Sequence, residues 1–526
     1  MQRRNFLRRA IPASAVFPSL LNGFSVKAFG ASKILQAMSG AADNDHVLVL
    51  IQMAGGNDSL NTVIPIDIYG NYFNVRSNIA IPESKILKLN NNIKTGIHPA
   101  MKGLQELYNT EKLSVIQGVG YPSANQSHFR SMDIWLTGAD EDQYLDTGWA
   151  GRFLNHEYPN FPVGFPNDDM PDPLAIQIGS VLSPLFVGPG GFTSMAVDSD
   201  IDFYNLINGI IEDTPNTPSG NELAYLRLVA RQTNKYADAI IAAAKKVTQQ
   251  QHYPDTDLAH QLKAVARLIG GGLKTKVYMV TTGGFDTHAE QVEGGNTIAG
   301  THALLLKDIS DAIAAFMKDL EFLNASKRVL GLTFSEFGRR IASNGSGGTD
   351  HGAAQACFLF GDYAMNNVLG TSPPISGVID VEATLPMQYD FRSVYASILR
   401  DWFCVESDQI ESILLKNYQY LPIIKTTACN IEDNGGDDVG ENLISNYPNP
   451  FATTTTIKFH TKGGHTLIQI FDVTGRLVAV PVNQDYPQEG TYTITFDGSR
   501  LLSAVYYARL QNNFTQQVRT MLKIRQ

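Results

Sequence analysis

The chain is poor in the residues that several common architectures and functions need. Its 526 residues include three cysteines, Cys357, Cys404 and Cys429, without a Cys-x-x-Cys pair, which excludes a disulfide framework and a thiolate zinc site. It has neither a P-loop nor the Gly-x-Gly-x-x-Gly fingerprint of dinucleotide binding. Basic residues number 41 against 51 acidic ones, and the net charge of −10 argues against a nucleic-acid-binding protein. With 43% hydrophobic and 17% charged residues, the chain can still bury a sizeable core.

The shortage of positive charge is concentrated in the middle of the chain. Residues 1–31 carry five basic and no acidic groups, and residues 446–526 carry eight basic and four acidic groups. Taking these +5 and +4 contributions from −10 leaves −19 for residues 32–445. Such a region repels polyanions, but it can hold divalent cations where its carboxylates converge.

The N-terminus has the pattern of an export signal. Arg3-Arg4-Asn5-Phe6-Leu7 precedes an apolar run over Ala10–Leu21, which is too short to anchor the chain in a bilayer. The arginine pair followed by x-Phe-Leu resembles a twin-arginine signal, which implies the twin-arginine translocase as a partner. We therefore expect residues 1–31 to be a signal peptide and the protein to pass through the periplasm. The alternative is a basic amphipathic start to a cytosolic protein.

The C-terminal part is separated by a polar, acidic and glycine-rich linker at residues 430–445. Short alternating segments with turn residues between them then predict a small β-sandwich over residues 446–526. The predicted strands are Thr455–Phe459, Leu467–Phe471, Tyr492–Phe496 and Val505–Ala508.

The motifs of this region resemble the C-terminal sorting domain of type IX secretion. They are Asn446–Phe451, Phe471–Arg476 and Val505–Tyr507, in that order over the last 80 residues. The resemblance implies the type IX secretion machinery as a partner, a Bacteroidota-like bacterium, and a destination on the outer cell surface or outside the cell. A generic carbohydrate-binding or spacer sandwich is the alternative.

The remaining region, residues 32–429, alternates buried strands with helices. Continuous apolar runs predict parallel strands at Val47–Met53, Lys112–Gly120, Val277–Thr282 and Val329–Phe334. Helical spacing is found in Ala224–Gln249 and His302–Leu323. This alternation predicts an α/β fold with a doubly wound, mostly parallel sheet, in which ligands bind beyond the carboxyl ends of the strands.

Candidate metal ligands follow the predicted strands or lie in a glycine-rich loop. Mixed carboxylate and imidazole donors suit zinc, manganese or similar divalent ions, and we expect one or two ions per chain. Each Asp/His pair alone is also compatible with a satisfied surface pair. The predicted metal ligands are Asp58, Asp286, His288, Glu336, Asp350 and His351.

This order of motifs resembles the alkaline phosphatase/sulfatase superfamily, and more closely the bacterial family called domain of unknown function 1501. The motifs are Gly55–Asn61, Ser127–Ser131, Gly284–His288, Ser335–Arg340 and Gly347–Gly352. The resemblance implies that Asp58 holds one metal and that Asp286 and His288 hold the other. It matches Glu336 to a further carboxylate, and His351 with Asp350 to a later loop ligand.

The nucleophile is where the sequence departs from the superfamily. The helix that ends in Trp135-Leu136-Thr137-Gly138 resembles the sulfatase pattern, but it places His128 at the nucleophile position and Ser127 one residue away. Ser127 could instead be a helix cap, and His128 a metal ligand or a core residue. We expect Arg130 or Arg339 to neutralise an anionic oxygen of the substrate, unless they form structural salt bridges.

Two functions remain open. The first is a secreted or surface-bound metal-dependent hydrolase of phosphate esters, with sulfate esters less favoured because Cys-x-Pro-x-Arg is absent. The second is a catalytically inactive surface protein that keeps the hydrolase fold for binding or assembly. The ester substrate or surface ligand is not identified by the sequence.

Overall fold

The chain divides into two compact units, one ending at Ile431 and the other beginning at Glu432. The computed structural model describes residues 44–179, 181–199, 236–376 and 380–429 of the first unit. In the second unit it describes residues 444–447, 451, 453–461, 463–472, 476–512 and 516–523. The predicted signal peptide and most of the predicted linker lie outside these residues.

The first unit is built from strands and helices in alternation. Its strands are β1 Val47–Met53, β2 Val63–Pro65, β3 Leu87–Leu89, β4 Asn92–Ile97, β5 Leu113–Gly120, β6 Ala175–Ile178, β7 Val187–Gly188, β8 Gly191–Phe192, β9 Ser194–Val197, β10 Val277–Thr282, β11 Val329–Phe334, β12 Gln355–Phe360, β13 Val368–Leu369 and β14 Tyr389–Asp390. Its helices are α1 Ser59–Thr62, α2 Tyr69–Val75, α3 Lys102–Asn109, α4 His128–Thr137, α5 Trp149–Glu157, α6 Asp257–Gly270, α7 Thr301–Phe322, α8 Phe391–Asp401 and α9 Ser407–Leu414.

A nine-stranded sheet forms the centre of this unit, in the order β13-β5-β12-β11-β1-β10-β6-β9, with β14 paired to β5. β1 lies in its middle and runs parallel to both β10 and β11. Only β12 is reversed, because its pairings with β11 and β5 are both antiparallel. The predicted α/β fold with a mostly parallel sheet is confirmed, and the four predicted strands all belong to this sheet.

Both faces of the sheet are covered, which explains why β1 is apolar at nearly every position. Val47, Val49 and Ile51 point into one core, which they share with α3, α6 and α7. Leu48 and Leu50 point into the other, which is shared with α4, α5, α8 and α9. Successive strand side chains alternate between faces, so a strand with a core on each side has no polar face.

The helix predicted over His302–Leu323 matches α7 within one residue at each end. Of the helix predicted over Ala224–Gln249, residues 236–245 are helical, whereas the part before residue 236 lies outside the described residues. None of the described helices is long and apolar enough to cross a membrane.

The second unit is an antiparallel β-sandwich, as predicted. Its strands are β15 Ile444–Tyr447, β16 Thr454–Thr461, β17 Gly464–Asp472, β18 Leu477–Tyr486, β19 Gly490–Asp497, β20 Ala504–Asn512 and β21 Gln516–Lys523. They form two sheets, β15-β16-β19 and β18-β17-β20-β21. Ile457 of the first sheet and Ile470 and Leu510 of the second are buried in one core.

A single disulfide joins Cys404 to Cys429, with their Cα atoms 5.6 Å apart, while Cys357 is free and buried. Sequence analysis excluded a disulfide framework and did not predict this bond. The two cysteines are 25 residues apart, and no local motif marks them as a pair. The bond connects the segment after α8 to the short 3₁₀ helix Thr426–Cys429.

We expect replacement of Cys404 by Ser to destabilise the first unit. Closing a loop of this length lowers the entropy of the unfolded chain, so the bond stabilises the fold by roughly 3 kcal/mol. Denaturant unfolding of the oxidised protein and of Cys404→Ser measures the difference. The oxidised protein in excess reductant should unfold like the variant, and equal stability in all three samples would show that the bond contributes nothing.

Candidate functional site

The carboxyl ends of β1, β10 and β11 meet because glycines allow their loops to approach closely. Gly55 has a φ of +124°, and a Cβ at this position would lie 2.3 Å from the backbone nitrogen of Asp286. A Cβ on Gly348 would lie 2.4 Å from the carbonyl oxygen of Thr287. Side chains from the loops after β10 and β11 are therefore brought together at this edge of the sheet.

Asp286, His288 and His351 bring three potential ligand atoms close together. The two imidazole Nε2 atoms are 2.9 Å apart. Oδ1 of Asp286 lies 3.2 Å from Nε2 of His288 and 3.3 Å from Nε2 of His351. Three potential metal-binding atoms are thus mutual neighbours.

The other ring nitrogens of the two histidines already have partners. Nδ1 of His288 lies 2.9 Å from Oδ1 of Asp350, and Nδ1 of His351 lies 2.8 Å from the carbonyl oxygen of Gln126. Both partners are acceptors, so in neutral imidazoles these contacts assign the proton to Nδ1. Both Nε2 atoms then carry lone pairs and cannot hydrogen-bond to each other. A cation between them removes this repulsion.

His128 brings a third imidazole to the group from the first residue of α4. Its Nδ1 lies 2.7 Å from Oε1 of Glu336, which assigns its proton in the same way. Its Nε2 lies 3.6 Å from Oδ2 of Asp286. Ligand atoms of His128, Asp286 and His351 all lie within 4.8 Å of one another, a spacing that could hold a metal ion.

Glu336 and Asp350, which we predicted as metal ligands, contact the Nδ1 atoms of His128 and His288, on the side of each ring away from Nε2. Glu336 is 3% exposed, and its Oε1 also accepts a hydrogen bond of 2.8 Å from the backbone N–H of Gly55. Asp350 accepts a hydrogen bond from the amide of Asn344 at 3.1 Å. Carboxylates in these places orient imidazole ligands and raise their basicity.

The ionisation states of Asp286 and His351 also suit metal ligation. Partial burial raises the pKa of Asp286, but Arg339 first, and then His288 and His128, hold it below its usual value. Partial burial lowers the pKa of His351. At neutral pH Asp286 is therefore an anion and His351 a neutral imidazole, which are the forms that bind metals.

Arg339, predicted to contact the substrate, is fully buried and holds the loops of the site together. Its Nη2 lies 2.6 Å from Oδ1 of Asp286. The other contacts of the guanidinium are backbone carbonyl oxygens, and its full burial keeps it from a bidentate contact with a substrate. These carbonyls belong to Gly55, Gly56, Phe285 and Thr349.

Asp58 lies in a buried ion pair. Its Oδ1 and Oδ2 lie 2.9 and 2.8 Å from Nη1 of Arg76, and Gln291 donates to Oδ2 at 2.6 Å. Burial raises the pKa of Asp58, but the charges of Arg76 and His302 and the hydrogen bonds hold it below its usual value. In this geometry Asp58 neutralises an arginine instead of joining the histidine group.

Ser127 and Arg130 lie on either side of His128 but have different surroundings. Ser127 is the exposed N-cap residue of α4, and its side chain makes no capping hydrogen bond. Arg130 pairs with Asp133, donates to carbonyl oxygens of the loop after α4, and stacks 3.9 Å from the ring centroid of Tyr144. Arg130 is therefore tied to its own helix and the following loop.

Two segments of the chain match known families. Residues 219–414 match the family described as "Protein of unknown function (DUF1501)". Residues 445–524 match the "Secretion system C-terminal sorting domain". The chain joins a DUF1501 region to a secretion sorting domain. Both resemblances predicted from the motifs are confirmed, and the sorting domain marks the protein for type IX secretion to the cell surface or the exterior.

The DUF1501 region includes most of the site but not all of it. Asp286, His288, Glu336 and Asp350-His351 lie inside the matched residues 219–414. His128 lies outside them.

Several solved structures resemble the chain distantly. An alkaline phosphatase superfamily protein from Vibrio parahaemolyticus has 9% identity and a TM-score of 0.32, with 84% of this chain and 83% of that chain covered. The PsFucS1 sulfatase from Pseudoalteromonas sp. has 12% identity, a TM-score of 0.32 and coverages of 89% and 86%. The phosphonate monoester hydrolase SpPMH from Silicibacter pomeroyi has 8% identity, a TM-score of 0.29 and coverages of 90% and 89%. No curated protein matches the sequence.

We expect Asp58→Asn to destabilise the first unit and to leave its metal content unchanged. Losing one partner of a buried ion pair leaves the charge of Arg76 uncompensated and costs about 3 kcal/mol. Because the folded pKa of Asp58 is lowered, its stabilising effect is present above the unfolded pKa of about 3.9 and is lost as the pH falls through the folded value. Urea unfolding between pH 7 and pH 3 measures both effects.

The matched control for this variant is Asp286→Asn, which should lose bound metal at neutral pH. If folded Asp58→Asn lost its metal as completely as Asp286→Asn, Asp58 would be a ligand, as the sequence predicts.

Proposed function

We propose that the protein is an exported hydrolase of phosphate esters that uses a divalent metal ion held by His128, His288, His351 and Asp286. The observation that carries the proposal is the 2.9 Å approach of the His288 and His351 Nε2 atoms, whose Nδ1 atoms already face acceptors. Two Nε2 lone pairs beside a carboxylate form a favourable arrangement around a cation.

The spacing of the donors fits such an ion. Ligands about 2.0–2.1 Å from a tetrahedral zinc ion are about 3.3 Å from each other. The three separations among Asp286, His288 and His351 are 2.9, 3.2 and 3.3 Å. Nitrogen and oxygen donors without thiolates suit zinc, manganese or a similar divalent ion.

The remaining residues of the site orient these donors. Glu336, Asp350 and the Gln126 carbonyl each contact Nδ1 of one imidazole, which orients the ring so that its Nε2 faces the other donors. Arg339 holds Asp286 ionised and at a fixed position. The chemistry that a divalent ion supplies in such a site is activation of water and polarisation of an ester oxygen.

Phosphate esters are favoured over sulfate esters because the formylglycine motif is absent. Among the described residues, the hydroxyl of Ser127 makes no capping hydrogen bond and no hydrogen bond to a base. We therefore favour water as the nucleophile, with His128 as a ligand instead of the attacking group.

A non-catalytic function is the second candidate. The observation that favours it is that Arg130 and Arg339, the two arginines predicted to contact a substrate anion, are both engaged by the protein itself. On this hypothesis the protein is a surface protein that keeps its metal for binding or assembly.

For export, we propose that residues 1–31 are a twin-arginine signal peptide and that the twin-arginine translocase carries the chain into the periplasm. The proposed order of the remaining segments is the α/β domain at 32–429, the linker at 430–445 and the sorting domain at 446–526. Support comes from Arg3-Arg4 and from the sorting-domain match.

Purified protein should contain about one equivalent of a divalent transition metal, since the described residues hold one cluster of converging ligands. His288→Gln and His351→Gln should each abolish binding, whereas Glu336→Gln should weaken it about tenfold by disturbing the orientation of His128. Elemental analysis and titration of the metal-free protein measure this series. Wild-type protein without metal, and without a thermal shift on adding zinc or manganese, would remove the proposal.

We expect Ser127→Ala to keep both metal and ester hydrolysis, with kcat within about threefold of wild type, because a water nucleophile does not need this hydroxyl. His128→Ala should lose both together. The assay uses aryl phosphate esters and aryl sulfates with each candidate metal. If Ser127→Ala kept its metal but lost all turnover, Ser127 would be the nucleophile. If metal-loaded wild type hydrolysed no ester, the non-catalytic function would be favoured.

A further inference from the structure

The segment just before α4 makes two contributions to the histidine centre. The carbonyl oxygen of Gln126 lies 2.8 Å from Nδ1 of His351, and His128 brings its own imidazole. Gln126 and His128 lie outside the DUF1501 match at residues 219–414, whereas His351 lies inside it. The position of this segment therefore decides how His128 and His351 are held.

The same segment has little burial of its own to fix its position. Pro122, Ser123, Gln126 and Ser127 are all exposed. Exposed backbone with few buried contacts opens more easily than the core of a domain. Specific hydrogen bonds must therefore hold these residues against the rest of the site.

A chain of three hydrogen bonds connects the segment to the end of β11. The backbone N–H of Asn125 donates to the hydroxyl of Tyr121 at 3.0 Å, and the hydroxyl of Ser131 donates to the carbonyl oxygen of Glu336 at 2.6 Å. A serine hydroxyl has one proton, so in the 2.8 Å contact between the two hydroxyls Tyr121 is the donor and Ser131 the acceptor. The chain ends on Glu336, the residue whose carboxylate contacts Nδ1 of His128.

Tyr121 is a rigid point of attachment for this chain. It directly follows β5, is 4% exposed, and packs edge-on against the ring of Phe391 with centroids 6.0 Å apart. Asn125, which it holds, accepts a hydrogen bond of 2.8 Å at its side chain from the backbone N–H of Ser127. The position of the Tyr121 hydroxyl is thus passed on to the first residue of α4.

We propose that Tyr121 is a positioning residue of the metal centre. Its hydroxyl holds residues 125–128 in place, so that the imidazole of His128 and the carbonyl oxygen of Gln126 both meet their partners. The inference rests on the proposed function, because it concerns the ion proposed there. Contacts that orient metal ligands without touching the ion contribute strongly to metal affinity.

Tyr121→Phe removes only the hydroxyl, and Tyr395→Phe is its matched control. Tyr395 is 1% exposed and donates to the carbonyl oxygen of Trp135 at 3.1 Å, near the other end of α4. In calorimetric titrations of the metal-free proteins, we expect the Kd for zinc to rise about tenfold in Tyr121→Phe and to stay within about twofold of wild type in Tyr395→Phe. Unchanged affinity in Tyr121→Phe, or equal weakening in both variants, would overturn the inference.

The spectrum of bound cobalt gives a readout that a purely structural role would not change. At saturating cobalt(II), the visible absorption depends on the number and geometry of the ligands. We expect the band to change in position or intensity in Tyr121→Phe and to be the same as wild type in Tyr395→Phe. The wild-type spectrum in Tyr121→Phe would show that the hydroxyl does not place the ligands.

Ser131→Ala removes the next hydroxyl of the chain, and it provides a second test if Tyr121→Phe does not fold. We expect it to weaken zinc binding about tenfold as well. The double variant should bind zinc within about threefold of the weaker single variant, because both hydroxyls act in one chain of hydrogen bonds. Effects that multiply to about a hundredfold would show independent roles and count against the inference.

Hydrogen exchange of the metal-free proteins separates the inference from the proposed function. The peptide over residues 122–130 should exchange at least about threefold faster in Tyr121→Phe than in wild type or Tyr395→Phe, because Asn125 loses its acceptor. If wild type bound neither zinc nor cobalt, the proposed function would fail, and faster exchange would still show that Tyr121 holds the segment. Equal exchange in the three proteins would overturn the inference even if wild type bound zinc.

Discussion

The buried guanidinium of Arg339 is the contact on which the rest of the centre depends. It binds carbonyl oxygens from the loop after β1, from the loop after β10 and from the glycine-rich loop, and it also binds Asp286. These segments are far apart in the sequence, and the guanidinium gives carbonyl oxygens of all three a common donor. One side chain thus satisfies the backbone of three loops and fixes the carboxylate that faces the histidines.

The contacts of Arg339 explain how an ionised carboxylate and neutral imidazoles can lie side by side in a partly buried site. A metal centre needs an ionised carboxylate and neutral imidazoles, although burial destabilises the charge of the former. Arg339 keeps Asp286 ionised, while the acceptors behind each imidazole keep its proton on Nδ1. The arginine therefore acts as part of the scaffold, and its positive charge is already paired with that of Asp286.

Sequence analysis predicted the elements of the sheet better than the roles of the side chains at its edge. The run Val47–Met53 is apolar because both of its faces are buried, and this leaves a clear signal. Glu336 follows a strand end just as Asp286 does, and Asp350 lies beside His351 in the glycine-rich loop, so position alone cannot separate a residue between the imidazoles from one behind them. Asp58 has the same position too, but its partner Arg76 comes from a helix end that carries no motif. The reversed strand β12 and the Cys404–Cys429 bond were missed because they depend on long-range pairing.

Secretion gives these features a common physical setting. Outside the cell a disulfide persists, so the Cys404–Cys429 bond can stabilise the end of the first unit there. A metal released into that volume is diluted, whereas ligands held in place before binding lose less entropy when they bind it. The outer contacts of His128, His288 and His351 provide such preorganisation, since each ring has one nitrogen fixed by a protein acceptor. The contacts that Glu336 and Asp350 make with Nδ1 of His128 and Nδ1 of His288 are part of this preorganisation.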